Sequence, residues 1–269
     1  MRLASCILLL LCMTLWNIGW ASTLPSRLKC ASDTFEPYVI ETSQYASLQG
    51  VNVELVENAA SLLGIEIEFN RVPWARLEQA LKENQVDCAV AFFLTPERAQ
   101  SMNYTRVPIQ FTSYNLFTHA GTLKKGWGTD QIKGWQIGYH RGFLLPQELT
   151  QLADENAIKL VALQSEEQAL AMLVKHRLNA LITNKDVGLY LLKKNNWHGI
   201  EVISPAFSYT PAYLVFSKKD GYEGFIPLFD EALFELMKNG RYAQIRQQYG
   251  LEQIKTLADN TDLSGVGNP

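Results

Sequence analysis

Apolar positions along the chain fall into short blocks whose period switches between two and about 3.6, as it does where strands alternate with helices. Residues 28–31 form a strand candidate that runs into Ser32-Asp33-Thr34-Phe35-Glu36-Pro37-Tyr38, a segment rich in turn formers and aromatic rings. After Gly50, Val51, Leu55, Ala59 and Leu62 recur at helical spacing, and Gly64 stands where a left-handed residue closes a helix. Residues 65–69 alternate like a strand with one buried face. A second helix follows Pro73 and carries Trp74, Leu77 and Leu81. Residues 87–94 are almost free of polar side chains, which predicts a parallel strand buried on both faces. Thr95-Pro96-Glu97-Arg98 then has the chemistry of a helix start: a capping hydroxyl, proline at the first helical position and an acid in the first turn.

The alternation restarts after Gly134, with a strand at 135–139, a turn holding Gly142, a helix over 146–156 and a strand at 158–163. Ser165-Glu166-Glu167-Gln168 is a capping box that opens a further helix. A strand at 180–183, a helix over 185–194 and a strand near Val202 complete this second α/β unit. Two stretches, 107–118 and 207–217, are extended, aromatic-rich and without helical period, and they predict two crossings between lobes. Helices over 225–237 and 241–249 then complete the first lobe, and the polar tail from residue 257 is expected to be loose. The expected division is 22–110 with 214–269 for lobe 1 and 111–213 for lobe 2.

Residues 1–21 stand apart: Arg2, an apolar run at 7–16 and Gly19-Trp20-Ala21 make a signal peptide expected to be cleaved after Ala21. Cys6 superficially fits a lipobox but precedes the apolar run. The mature protein is therefore expected to be periplasmic. With 47% hydrophobic residues, 19% charged and a net charge of -3, the chain has material for packed cores and no nucleic-acid footprint. Cys30 and Cys88 both fall in predicted core strands, where they form a disulfide if the strands are neighbours and are buried thiols otherwise.

Common enzyme motifs are missing, no cofactor or metal spacing stands out, and His119, His140, His176 and His198 read as scattered surface or loop side chains. Binding chemistry is better represented. Arg98, one turn into a helix that follows a buried strand, joins a guanidinium to helix N–H groups as a planar receptor for a carboxylate. Phe35, Tyr38, Trp74, Phe92 and Phe93 sit near strand ends that converge, and they are expected to wall a dry slot around it.

Asp33 through Tyr38, Gly50-Val51-Asn52-Val53-Glu54-Leu55, Val86-Asp87, Thr95-Pro96-Glu97-Arg98, Gly138 to Gly142, Ala169-Leu170 with Leu178-Asn179-Ala180, and Leu236 to Tyr242 resemble, in order and spacing, bacterial extracellular solute-binding proteins typified by polar amino-acid receptors. The resemblance covers essentially the whole mature chain. It implies a two-lobed α/β fold of the type II periplasmic-binding-protein class with two hinge strands, a monomer that closes on a small molecule, and an importer permease of the ABC class or a membrane sensor as partner. It also implies that Arg98 holds the ligand carboxylate, that Phe35 and Trp74 flank it, and that Asp33 lies close to the cleft.

Two departures shift the expected ligand. Gly142-Phe143 stands where a hydroxyl residue usually follows the second-lobe glycine, and Asn184 where an aspartate usually meets an ammonium group. Phe92 and Phe93 replace small and hydroxyl residues. A carboxylate with an apolar or aromatic body, or a peptide-like one, fits these changes better than a standard α-amino acid. Pro73-Trp74-Ala75-Arg76 is also similar to receptors not obviously coupled to an importer. The competing reading is a dehydratase-like enzyme on the same scaffold acting on a cyclic carboxylate, with Asp33 and Glu36 as the nearest acids.

Overall fold

In a computed structural model, residues 24–42, 47–124, 126–219 and 221–251 are described. The export segment and the tail read from the sequence lie outside them. The first lobe begins with β1 (Arg27–Ser32), the small pair β2 (Ile40–Glu41) and β3 (Leu48–Gln49), α1 (Val51–Leu62), β4 (Glu66–Arg71), α2 (Trp74–Lys82), β5 (Cys88–Phe93), α3 (Pro96–Ser101) and β6 (Met102–Tyr104). β7 (Gln110–His119) leads into β8 (Gln136–His140), α4 (Gln147–Asp154), β9 (Lys159–Leu163), α5 (Glu166–Val174), β10 (Ala180–Asn184), α6 (Lys185–Lys194) and β11 (Ile200–Val202). β12 (Ser208–Ser217) returns to the first lobe, where α7 (Ile226–Lys238) and α8 (Arg241–Gln248) follow.

The two crossings join the lobes into one sheet, in the order β4-β1-β5-β12-β7-β10-β8-β9. β1 pairs with β4 and β5 in parallel, whereas β12 runs antiparallel to both β5 and β7. β5 therefore lies in a mixed environment instead of the all-parallel one its apolar run suggested. β12 uses Ala212 to Phe216 against β5 and Ser208 to Ala212 against β7, so a single strand belongs to both lobes. β4 is an edge strand and only half-buried, which the even alternation of its sequence did not reveal.

Local chemistry explains the element ends. Gly50 has φ 128°, and a Cβ there would stand 2.5 Å from the Tyr38 carbonyl oxygen, so only glycine lets α1 start so close to the first loop. Ser165 Oγ accepts from the Gln168 N–H, while Gln168 Oε1 accepts from the Gln164 N–H, one residue before the position a reciprocal capping box uses. α1 buries Val51, Val53, Leu55, Val56 and Ala59, and a large side chain such as Leu55 contributes about 1.5–3 kcal/mol by leaving water. That buried cluster is continuous from Leu28 and Phe229 in the first lobe to Phe117 and Leu170 in the second.

Cys30 and Cys88 are directly opposed on β1 and β5 and form a disulfide, with Cα atoms 4.4 Å apart. Beyond it β5 carries a bulge. Ala89 pairs with Val215 and Phe92 with Tyr213, two residues on β5 against one on β12, and Ala91 takes φ 66°. The extra residue moves Phe92 off the Cys88 and Val90 face and onto the Ala89 face, beside Leu77 and Leu81.

Candidate functional site

The slot between the lobes gathers the C-terminal ends of β1, β5 and β8. It is lined by Asp33, Phe35, Trp74, Ala91, Phe93 and Arg98 from the first lobe, by Gln110, Thr112 and Tyr114 from β7, and by His140, Gly142, Phe143 and Leu144 from the second lobe. β1 and β5 run parallel, whereas β8 runs the opposite way across β12, β7 and β10, so the loops after their C-terminal ends approach the slot from its two sides.

Arg98 is held in place from three sides. Thr95 Oγ1 accepts from its backbone N–H at 3.2 Å, its Nε donates to Glu78 Oε2 at 3.3 Å, and its guanidinium carbon lies 5.3 Å from the centroid of the Phe92 ring. Its side chain is 14% exposed, and its terminal nitrogens make no hydrogen bond among the described residues. α3 has only six residues and its capping hydroxyl already uses the Arg98 N–H, so the side chain itself, more than a helix dipole, supplies the positive charge. Burial pushes the Glu78 carboxyl up, but the hydrogen bond and charge of Lys82, with those of Arg98, outweigh it and hold Glu78 below its ordinary value.

Asp33 is equally engaged. Its Oδ2 accepts from the Trp74 N–H at 2.9 Å, and its Oδ1 accepts from the Thr34 N–H at 2.8 Å and from Arg71 Nε at 3.4 Å. Pro73 occupies the cap position of α2 with no side-chain acceptor to offer, so Asp33 caps that helix from a distant loop and fixes Trp74 in the slot.

Phe143 reaches across from the second lobe. Its ring meets Phe35 edge-on at 5.6 Å, Trp74 at 6.2 Å and the His140 imidazole at 4.4 Å between centroids. Gly142 turns the chain toward the slot at φ 85°, a left-handed conformation that favours glycine, while a Cβ there would only touch the Trp74 ring at an ordinary 3.5 Å. With the rings in contact, the slot keeps about 50 Å³ of free volume. Tyr104 donates to the Phe93 carbonyl at 3.0 Å, and burial pushes its phenol up to about 12.

Of the nine residues singled out from the sequence, Asp33, Phe35, Trp74, Phe93, Arg98 and Phe143 come together in the slot. Tyr38, Phe92 and Asn184 do not line it. Tyr38 is fully buried and donates to Asp186 Oδ2 at 2.7 Å. Phe92 lies beneath Arg98 in the core, because adjacent strand residues face opposite sides and the bulge decides which one turns inward. Asn184 is buried at the N-cap of α6, where its Oδ1 accepts from the Asp186 and Val187 N–H groups.

His140 was passed over among the histidines. It ends β8, its side chain is 13% exposed, and its Nδ1 lies 3.0 Å from Oε1 of the buried Glu166. Burial pulls the imidazole pKa down, but the hydrogen bond and charge of Glu166 and the charge of Asp33 outweigh it and leave the group raised. Gln110, Thr112 and Tyr114 were also not singled out, although three polar-tipped side chains at period two on a crossing strand are a legible signal. Asn52 Nδ2 donates to Gln110 Oε1 at 2.8 Å and Gln110 Nε2 to Thr112 Oγ1 at 3.1 Å, forming a buried polar chain along the crossing.

Two α/β lobes bridged by two long antiparallel strands, with a slot of aromatic rings and one arginine between them, define a type II periplasmic-binding-protein fold. The chain belongs to the bacterial extracellular solute-binding proteins, family 3, whose sequence profile matches residues 28–252. An ancestral arginine-binding protein bound to arginine is similar with a TM-score of 0.72 and 22% identity, over 84% of this chain and 98% of that one. A histidine kinase sensor domain with similarity to periplasmic binding proteins gives 0.71 and 20% identity, over 83% of this chain and 95% of that one. A probable histidine-binding protein of Campylobacter jejuni is 27% identical over 225 residues, covering 78% of this chain and 79% of that protein.

Proposed function

We propose that this solute-binding protein captures a small carboxylate-bearing ligand by closing its lobes about β7 and β12, and that the ligand carboxylate docks on Arg98. In this reading the lobes divide at about residues 110 and 213, the protein acts as a monomer after export and signal removal, and its partner is an importer permease or a membrane sensor. The observation that carries the reading is the guanidinium whose Nε is tied to Glu78 while its terminal nitrogens have no hydrogen-bond acceptor among the described residues, inside a slot of rings. A charge-assisted, bidentate contact is worth most where water is excluded. Phe35, Trp74 and Phe143 give the ligand an apolar or aromatic surround, and binding requires Phe143 to swing away with the second lobe. Among structural relatives are the substrate binding protein of an amino acid ABC transporter and a histidine kinase sensor domain, so either partner fits the fold.

Binding is favoured over turnover by the state of the two acids that an enzyme would use. Asp33 is engaged by three N–H donors, and Glu36 does not line the slot but accepts from Lys194 Nζ at 2.6 Å. Calorimetry and small-angle scattering on the mature protein test the proposal. Ligands from a panel of amino acids and organic acids are expected to bind and compact the molecule, and Arg98→Ala to weaken that binding by roughly 10- to 100-fold. Equal affinity of Arg98→Ala and wild type for every ligand found would refute the role given to Arg98.

A further inference from the structure

His140 occupies an unusual place: it is the only imidazole lining the slot among the described residues, and it comes from the lobe opposite Arg98. The groups facing it are Glu166 from α5 and, across the slot, Asp33 from the loop after β1; Tyr114 on β7 and Arg98 on α3 line the same cavity. Behind these stand Arg71 on Asp33 and Glu78 on Arg98. Glu78 is shared by Arg98 and Lys82, and Arg71 by Asp33 and Glu41, so these six groups together are neutral. Glu166 is balanced only when His140 carries a proton. An incoming acid adds one negative charge to a water-poor slot, and the group able to answer it near neutral pH is the imidazole. A zwitterionic ligand brings no net charge and makes no such demand.

Resting on the carboxylate-binding reading above, we propose that His140 is the second lobe's ligand-reading side chain, that the slot favours acids of net negative charge over zwitterionic amino acids, and that it takes up one proton as such an acid binds. Glu166, itself buried and in contact with Nδ1, is the positioning residue that keeps the imidazole at the slot wall. The raised imidazole pKa sets where uptake is read: below it the free protein already holds the proton, so uptake belongs to the pH range above the folded value.

The experiment uses matched pairs of 2-hydroxy acids and 2-amino acids with the same side chain, beginning with phenyllactate and phenylalanine. Each is titrated calorimetrically into the mature protein at pH 6 to 9 in phosphate and in Tris, whose different ionisation heats report the protons taken up. For wild type we expect the hydroxy acid to bind more tightly than its amino-acid partner. We also expect proton uptake that is small at pH 6 and rises toward one proton above the folded imidazole value, with affinity falling by up to about tenfold per pH unit across that range. His140→Gln is expected to bind with no uptake and a flat pH profile. The wild-type proton count stands without any variant, so a poorly folding substitution does not spare the idea. Preference for the amino acids, or binding of the hydroxy acids without proton uptake at any pH from 6 to 9, overturns the His140 inference. If Arg98→Ala still loses affinity in that case, the carboxylate reading survives it. If none of the pairs binds, or Arg98→Ala binds them unchanged, the underlying reading fails first.

Discussion

Two of the contacts between the lobes are built on opposite principles. At the slot, the contact is made of rings from separate lobes, Phe143 against Phe35 and Trp74, meeting edge-on beside partly exposed loops. Beside the hinge, Asp186 of α6 accepts from Tyr38 Oη at 2.7 Å and from Arg246 Nη2 at 3.0 Å, and Arg246 is 3% exposed. Each ring pair is worth only about 0.5–1.5 kcal/mol, whereas a buried charge that loses its partner costs several kcal/mol. The contrast teaches where the molecule is free to open: the proposed closure exchanges ring contacts for ligand contacts at the slot, while the charged cluster near β12 keeps the lobes in register.

Four substitutions test this contrast. The largest expected effect is on the hinge side, where Arg246→Ala leaves Asp186 and Tyr38 without their buried cation and is expected to lower unfolding stability by roughly 3–5 kcal/mol in urea denaturation. A loss below 1 kcal/mol would show that the cluster is not a structural anchor. On the slot side, Phe143→Ala removes two ring pairs between the lobes, each worth about 0.5–1.5 kcal/mol. Its main effect is expected on shape: a larger radius of gyration by scattering for the variant without ligand. An unchanged radius would mean that the rings do not hold the lobes together.

A smaller effect is expected from the His140–Glu166 pair. Because the folded imidazole is raised, its contribution to stability is fully present below the ordinary value of 6.5 and is lost as pH rises through the higher folded value. Thermal melts between pH 6 and 9 should show this loss in wild type and a flatter profile in Glu166→Gln; identical profiles would remove the pair from the account. The smallest is Ala91→Gly, which relieves a left-handed alanine at the bulge but adds chain entropy, for a net change within about 1 kcal/mol. A larger loss would mean that the methyl group itself supports the slot.

Much of this arrangement is legible in the order of residues because it depends on near neighbours. Hydrophobic period located most of the strands and helices, including the two crossing strands, but not the short β2, β3 and β6, and Thr95-Pro96-Glu97-Arg98 marked the helix start that carries Arg98. The first loop and Trp74 were legible for the same reason, as aromatic residues beside turn formers. What the linear pattern left open was pairing and facing. Whether Cys30 and Cys88 bond depends on which strands are adjacent, and β5 proved to lie next to β1. Phe92 and Phe93 look alike in sequence, but a single extra residue in the strand sends one under Arg98 and the other into the slot.

His140 shows the limit most clearly. Taken along the chain it is a histidine at the end of a strand, with Glu166 26 residues away. Its environment arises only when β8, the start of α5 and the loop after β1 meet, because burial and charge are properties of surroundings that no local window contains. By itself the sequence determined the elements, their alternation and the arginine at the head of α3, all set by backbone preference and apolar period within a few residues. Only the tertiary structure decided which side chains share the slot, which are consumed as caps or core, and which lobe contact is charged, since those depend on distances between residues far apart in the chain.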